Sequence, residues 1–263
     1  MMRSTLRNKK APIRGSKWFA AGLAAVFWLA VWQLLASLVK MNVVLSPPLE
    51  VFRVLFRLIQ EGKFWLTIGA SFLRILCGYA AGILLGSVLA VLTHVSRLAA
   101  VLIRPLMSIL KATPVASFII LLLFFATNNS IPLIIVCIMV CPLIWANLVR
   151  GIEETDRELL EMAQVFALSK KWERKEIYLP SVLKFFLPAS VTAMGLAWKA
   201  GIAAEVLAAP PLSVGGMLYR AKIYLETPEM LAWTLCVILI SMCLERLLTV
   251  LFGRIETAGR RQG

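Results

Sequence analysis

The feature that most constrains this chain is a stretch of 38 residues, from Ala112 to Val149, that contains no charged side chain. About 20 mostly apolar residues suffice for a helix to cross a bilayer, so the stretch is too long for one span and about right for two. Its only polar break is Thr127–Pro132, which reads Thr-Asn-Asn-Ser-Ile-Pro. The sequence therefore predicts a transmembrane hairpin that turns at this break.

Further apolar segments predict the remaining spans in a chain that is 60% hydrophobic. We place them at residues 18–39, 65–95, 182–204 and 230–252, and we expect the first half of the hairpin to begin near Leu106, with Lys111 reaching the inner surface. The predicted fold class is an all-α integral membrane protein with about six transmembrane helices. Residues 49–59 alternate charged and apolar side chains at helical spacing, which predicts a short amphipathic helix on the outer surface.

The distribution of basic residues predicts the orientation of these spans. Of the 28 lysines and arginines, 20 fall in segments that six spans place on the inner side and 6 fall in outer segments. Cytoplasmic loops are rich in such residues, so we expect both termini to be cytoplasmic. The predicted divisions are a basic tail at 1–17, a transmembrane domain at 18–252 with a cytoplasmic loop at 150–181, and a C-terminal tail at 253–263.

Two other interpretations of the basic residues are less favourable. The net charge of +14 would indicate nucleic acid in a soluble protein, but here the basic residues crowd the ends of apolar spans, so no nucleic acid partner is expected. A cleaved signal peptide would have an apolar region of about 7–15 residues. The 22 uncharged residues of 18–39 favour a retained helix instead.

Small residues and cysteines within the spans predict packing. Gly78, Gly82 and Gly86 recur every four residues and lie on one helix face, where they allow a second helix to approach closely; a direct role in substrate passage is the alternative. The five cysteines lie in apolar runs, and we interpret them as buried small apolar residues. No metal site and no cofactor are predicted, and His94, the only histidine, is expected at the membrane interface.

The loop between the fourth and fifth spans is highly charged. Residues 150–184 carry seven basic and seven acidic side chains, which cannot lie in hydrocarbon without a large cost. We expect a helix from Glu153 to Phe166, a turn at 167–169, and a second helix that has Ser169 as its N-cap and ends at Pro180. A set of apolar side chains in this loop is predicted to be exposed for contact with another protein: Ala163, Val165, Phe166, Leu168 and Trp172. A solvated amphipathic loop is the alternative.

The spacing within this loop resembles a known signature. It reads Glu161-Met162-Ala163, three residues, Ala167, nine residues, then Ile177-Tyr178-Leu179-Pro180. This resembles the E-A-A, x3, G, x9, I-x-L-P signature of bacterial ABC importer permeases, with departures at Met162 and Ala167. If the family glycine has positive φ, alanine at 167 would cost about 1–2 kcal/mol.

The resemblance implies the type I ABC importer permease fold, in which this loop forms coupling helices that dock on an ATPase. The residues that it assigns to ATPase coupling are Glu161, Ala163, Ala167, Leu168, Ser169, Ile177, Leu179 and Pro180. The chain contains no G-x4-G-K-[ST] loop. We therefore expect a non-enzymatic subunit, with ATP hydrolysis in a partner.

A second resemblance concerns the fifth span. The stretch from Trp198 to Glu205, followed by Gly215-Gly216, is similar to nitrate/sulfonate/taurine-type permeases, and residues 113–116 also resemble a motif of that family. Intramembrane charges are candidates for function, and a proline kink can expose carbonyls to a pathway; a kink without contact with the solute is an equal alternative. The candidates for the translocation pathway are Arg74, Thr113, Pro114, Lys199 and Glu205. For Glu205, a place at the helix end in the outer interface is an equal alternative.

The two resemblances imply a bacterial inner-membrane permease that forms the pathway for a small solute, with Arg74 and Lys199 favouring an anion such as a sulfonate or nitrate. A neutral, pyrimidine-like solute is the alternative, because relatives with this architecture also carry such solutes. The implied partners are a cytoplasmic ATPase dimer, an extracytoplasmic solute-binding protein, a second permease subunit of the same sequence, and membrane lipid. One alternative is an ion-coupled secondary transporter. It would show inverted repeats and intramembrane carboxylates, of which we identify only Glu205. The other alternative is a membrane-embedded enzyme, but the chain lacks the nucleophile–base or metal set that such an enzyme would need.

Overall fold

The computed structural model describes residues 14–39 and 45–259, which are helical with short connections. A π-helical turn at Arg174–Tyr178 lies between the eighth and ninth helices. The helices are α1 (Arg14–Val39), α2 (Pro48–Gln60), α3 (Gly62–Val95), α4 (Arg97–Ala112), α5 (Val115–Leu122), α6 (Ile131–Glu153), α7 (Arg157–Val165), α8 (Lys170–Glu173), α9 (Leu179–Ala208), α10 (Val214–Ile223) and α11 (Thr227–Gly259).

Five of these segments are long and apolar enough to cross a membrane, and a sixth span results if the bent pair α4 and α5 counts as one. The five are in α1, α3, α6, the continuous segment Lys170–Ala208, and α11. Each overlaps a predicted span, and the segment Lys170–Ala208 also includes the end of the predicted cytoplasmic loop. The chain turns at the predicted place, because the polar break falls at the end of residues 123–130, which connect α5 to α6.

The third span differs from its prediction. We expected a helix from about Leu106 with a kink, whereas α4 and α5 are separate helices that meet at an angle of 97°. Thr113 is extended at φ −78° and ψ 129°, as the residue before a proline usually is. Pro114, which has no N–H to donate, then begins α5. The two residues therefore produce a break and not a kink.

The core forms where α6 packs between α3 and α9. The row of glycines on α3 faces α6: an added Cβ on Gly78 would lie 2.6 Å from the Leu133 carbonyl oxygen, and one on Gly82 would lie 2.7 Å from Val140 Cβ. On Gly86 it would lie 2.7 Å from the carbonyl oxygen of Cys141. No side chain fits at these positions, so the two backbones can approach each other closely.

The amphipathic helix is confirmed as α2, and it has apolar residues on two faces. Val51, Leu55 and Leu58 are buried against the bundle, whereas Leu49 and Phe56 are each 68% exposed. Its second apolar face points away from the described helices.

Several helix ends in the structure differ from their predictions. α6 continues to Glu153, and the next helix begins only at Arg157, where the Asp156 side chain accepts a hydrogen bond from Glu158 N at 2.9 Å. Pro180 does not end a helix; it lies in the first turn of α9, a position that needs no N–H donor from that helix. α11 extends to Gly259, into the predicted tail.

Two further outcomes concern the cysteines and the tails. Cys77 and Cys243 are exposed, contrary to prediction, because a membrane helix can present apolar residues outwards as well as to the bundle. The predicted basic tail falls mainly on residues 1–13, which lie outside the described part of the chain, as do residues 260–263.

Candidate functional site

The charged side chains of Arg74 and Glu205 meet inside the bundle. Arg74 is on α3 and Glu205 on α9, and Arg74 Nη1 lies 2.5 Å from Glu205 Oε1. Glu205 is fully buried and the Arg74 side chain is 13% exposed. Ser71 Oγ donates to Glu205 Oε2 at 2.8 Å. A buried carboxylate requires such partners, and here both oxygens have them.

The same carboxylate stabilises the beginning of α10. Gly215 N donates to Glu205 Oε2 at 3.1 Å, and Val214 N donates to Ser71 Oγ at 2.9 Å. These are N–H groups of the first helical turn, which have no partner within the helix. A Cβ on Gly215 would overlap Glu205 and lie 2.5 Å from Val206 N, so this close approach requires glycine.

Arg74 also reaches the loop between α5 and α6, because its Nη2 donates to Asn129 Oδ1 at 3.1 Å. We call this set the polar centre: Ser71, Arg74, Asn129, Glu205 and the N–H of Gly215. It joins α3, α9, α10 and the 127–130 turn. We predicted Arg74 and Glu205 as separate pathway candidates, and the structure shows that they are an ion pair. Glu205 is completely buried in the bundle and lies near the end of α9, as the alternative interpretation expected. Its depth in the membrane stays a prediction.

Sequence reasoning missed Ser71 and Asn129. Ser71 lies three residues before Arg74, so the two side chains share a helix face. This spacing can be recognised in the sequence. Asn129 was interpreted only as part of the polar turn.

The other pathway candidates are not part of the polar centre. Lys199 is exposed on α9 and forms no ion pair with a described residue. Thr113 Oγ1 donates to the Ile109 carbonyl oxygen at 2.8 Å, within its own chain segment. Pro114 is exposed at the break between α4 and α5. Their roles in a pathway stay predictions.

A second intramembrane carboxylate was overlooked. Glu245 lies within the span of α11 and is half-buried. Its carboxylate packs against Gly195 on α9, where a Cβ would overlap it. The signal was present, since Glu245 falls inside the predicted span 230–252. Within residues 14–39 and 45–259, no group of three or more His, Cys, Asp or Glu side chains is placed to hold a metal ion.

The charged loop at 150–181, which we call the coupling segment, turns sharply after α7. Ala167 has φ +50°. Leu168 N donates to the Ala163 carbonyl oxygen at 2.9 Å, and Ala167 N donates to that of Gln164 at 3.0 Å. This pair of hydrogen bonds is a Schellman motif, whose left-handed residue is usually glycine. Ala167 therefore carries the strain that was predicted for a positive φ.

Ser169 begins the next helix as predicted, because its Oγ accepts a hydrogen bond from Trp172 N at 3.2 Å. The segment then passes through α8 and the π-helical turn into α9, so it is joined to the fifth span without a break in helical structure.

The apolar residues of the coupling segment divide into two groups. Val165 and Phe166 are 81% and 70% exposed at the turn. Ala163 is only 2% exposed and Leu168 is half-buried. The prediction that Ala163 is exposed was wrong, because it lies on the inner face of α7. Of the remaining predicted coupling residues, Ile177 is buried and the others are exposed: Glu161, Ser169, Leu179 and Pro180.

Comparison with known proteins identifies the family. Residues 82–257 match the model of the binding-protein-dependent transport system inner membrane component. The chain belongs to this family. Its members are multi-pass permease subunits of ABC importers, which in general work with an ATPase and a substrate-binding protein. The resemblance that we based on the coupling segment is confirmed.

Curated relatives extend along most of the chain. It is 26% identical over 239 residues to the bicarbonate transport system permease protein CmpB of Synechococcus elongatus, covering 83% of this chain and 85% of the relative. It is 28% identical over 221 residues to the putative aliphatic sulfonates permease SsuC of Escherichia coli, covering 83% and 82%. It is 22% identical over 258 residues to the taurine permease TauC of Escherichia coli, covering 92% and 93%.

A solved structure shares the fold. The crystal structure of an amino acid ABC transporter with histidines matches with a TM-score of 0.61 and 15% identity, covering 72% of this chain and 94% of the other. The predicted type I permease fold agrees with this match.

Proposed function

We propose that this chain, as an ABC importer permease, forms with a second identical copy a pathway for a small anion across the bacterial inner membrane. Its coupling segment docks on an ATPase subunit in the cytoplasm. The proposed divisions are a cytoplasmic tail at 1–17, the permease domain at 18–252 and a second cytoplasmic tail from 253, with lipid around the spans.

The docking proposal rests on the exposed apolar side chains at the turn of the coupling segment. Val165 and Phe166 are among the most exposed large apolar side chains of the described residues, although they lie in a segment with 13 charged residues. Apolar side chains exposed together mark contact sites. Because the segment continues into α9, a displacement at the turn can pass to the span that carries Lys199 and Glu205.

The anionic substrate is supported by the relatives, whose names specify bicarbonate, aliphatic sulfonates and taurine. Arg74 does not contribute to anion binding in this proposal, because Glu205 neutralises it. Lys199 is the better candidate, since it is exposed within a span and no described carboxylate pairs with it.

The proposal is tested by reconstituting the chain with its cognate ATPase and binding protein, sought among the products of neighbouring genes. Thermal-shift screening of the binding protein against bicarbonate, nitrate, alkanesulfonates and taurine identifies the solute, and ATP-driven uptake of that solute into proteoliposomes tests transport. We expect uptake that requires all three components. Uptake by the chain alone, driven by an ion gradient, would instead support a secondary transporter.

A further inference from the structure

A cavity of about 720 Å³ lies between the ends of α3 and α6 and the beginning of α9. Apolar side chains of the three helices form most of its wall, among them Val91, Leu148 and Val182. Arg174, on the π-helical turn, lies at its polar boundary. The cavity is as large as those that hold drug-sized ligands, and its wall includes neither the polar centre nor the exposed turn of the coupling segment.

The cation on this boundary is available for a ligand. Arg174 is exposed and forms no ion pair or side-chain hydrogen bond with any residue that the structure describes. Lys170, the other lysine or arginine at the cavity, lies 2.8 Å from Glu173 Oε2 and is thereby largely neutralised. A guanidinium binds phosphate oxygens in a bidentate manner, so the free Arg174 favours a phosphate-bearing ligand.

The residues around the cavity indicate that it lies where the hydrocarbon core of the membrane meets the headgroups. The ring centroids of His94 and Tyr178 are 6.2 Å apart at the cavity wall, and tyrosine is typical of membrane interfaces. Val91 and Val95 on the last turns of α3 are 55% and 76% exposed. An acyl chain can therefore run along α3 while its headgroup remains beside Arg174.

The π-helical turn is a second, independent indication of a site. π-Helical turns are rare and occur frequently at functional sites, and this one, Arg174–Tyr178, carries both Arg174 and Tyr178 into the cavity wall. It also lies on the connection between the coupling segment and α9.

We propose that this cavity binds an anionic phospholipid of the cytoplasmic leaflet, with its phosphate at Arg174 and an acyl chain against Val91 and Val95. The location in that leaflet rests on the orientation given under the proposed function. The lipid would fill the space between α3 and the π-helical turn, and so hold the coupling segment close to the membrane.

Native mass spectrometry of the purified full-length chain tests this directly. Phosphatidylglycerol and phosphatidylcholine with identical acyl chains are added in turn, and the retained lipid is counted. We expect preferential retention of phosphatidylglycerol, and Arg174→Gln should reduce it about five-fold, as one basic residue near a membrane surface contributes. Arg174→Lys should retain part of the preference. Lys171→Gln, which removes a neighbouring charge outside the cavity, should reduce the retention less than Arg174→Gln does.

Several outcomes would overturn the lipid site. Equal retention of the two lipids, or retention of phosphatidylglycerol that does not respond to Arg174→Gln, would exclude Arg174 as its partner. Displacement of the lipid by millimolar inorganic phosphate would indicate a free-anion site instead. A change in elution volume on size-exclusion chromatography would identify a misfolded variant, and Arg174→Lys then serves as the test. Because the readout is mass and not transport, failure of the proposed anion import leaves this result interpretable.

Discussion

The polar centre and the coupling segment both combine charged and small residues, but the structure uses them in opposite ways. In the polar centre, Glu205 is fully buried and both its oxygens are hydrogen-bonded. In the coupling segment, Phe166 is 70% exposed and Ala167 has a strained positive φ. The first region satisfies its polar groups internally, and the second leaves apolar surface for a partner. In this chain the paired, buried charges therefore join helices, and the exposed turn is the surface that remains for a partner.

The strongest test of this contrast is Glu205→Ala. The substitution leaves the Arg74 guanidinium without its carboxylate partner, and it leaves the Ser71 hydroxyl and the Gly215 N–H without an acceptor. Removing one partner of a buried ion pair costs about 3–5 kcal/mol. We expect a large fall in the temperature at which the purified chain aggregates, measured by size-exclusion chromatography after heating.

Arg74→Met combined with Glu205→Met is the matched control. Removing both charges avoids an unpaired buried ion, so the double variant should be more stable than Glu205→Ala. Unchanged stability of Glu205→Ala would mean that the polar centre does not hold the helices together.

A smaller loss of stability is expected for Gly82→Ala. The added Cβ would lie 2.7 Å from Val140 Cβ, and overpacking of this kind costs about 1–3 kcal/mol. Gly69→Ala is the control on the same helix, because nothing lies within 4 Å of its Cβ position. It should be neutral or stabilising, since alanine favours a helix. Equal thermal stability of the two variants would argue against close packing of α3 and α6.

These predictions depend on features that the sequence revealed to different degrees. The spans were predictable because hydrocarbon requires every backbone polar group to be bonded within a helix. The row from Gly78 to Gly86 was equally readable, because its period places the residues on one face. The pairing of Arg74 with Glu205 was not, since it joins residues 131 positions apart.

Local geometry in the coupling segment was predictable only in part. The Ser169 cap follows from residue type and position, and the structure confirms it. The positive φ of Ala167 was left open because alanine, unlike glycine, gives no sign of a left-handed residue. Nothing in the sequence indicates the π-helical turn, and the prediction that Pro180 ends a helix is therefore wrong.

Ala167→Gly is expected to stabilise the chain slightly. It removes a left-handed penalty of about 1–2 kcal/mol, but the greater freedom of glycine in the unfolded chain offsets roughly 0.5–1 kcal/mol. The net gain should be on the order of 0.5–1 kcal/mol, seen as a small rise in Tm by scanning fluorimetry. Ala163→Gly, at an ordinary position of α7, should lower Tm instead. A lower Tm for Ala167→Gly would contradict the positive φ.

The smallest effect on stability is expected for Phe166→Asp, and it completes the comparison with Glu205→Ala. The side chain is 70% exposed, and substitutions at such positions usually change the free energy of unfolding by less than about 0.5 kcal/mol. The charge would nevertheless lie in the centre of the proposed ATPase contact, where burying an unpaired carboxylate is costly. We expect an unchanged Tm together with loss of the ATPase on co-purification. Phe166→Leu keeps an apolar side chain and should keep the ATPase. If Phe166→Asp retained the ATPase, the docking site would lie elsewhere. The exposed apolar residues of this turn would then be expected to contact lipid.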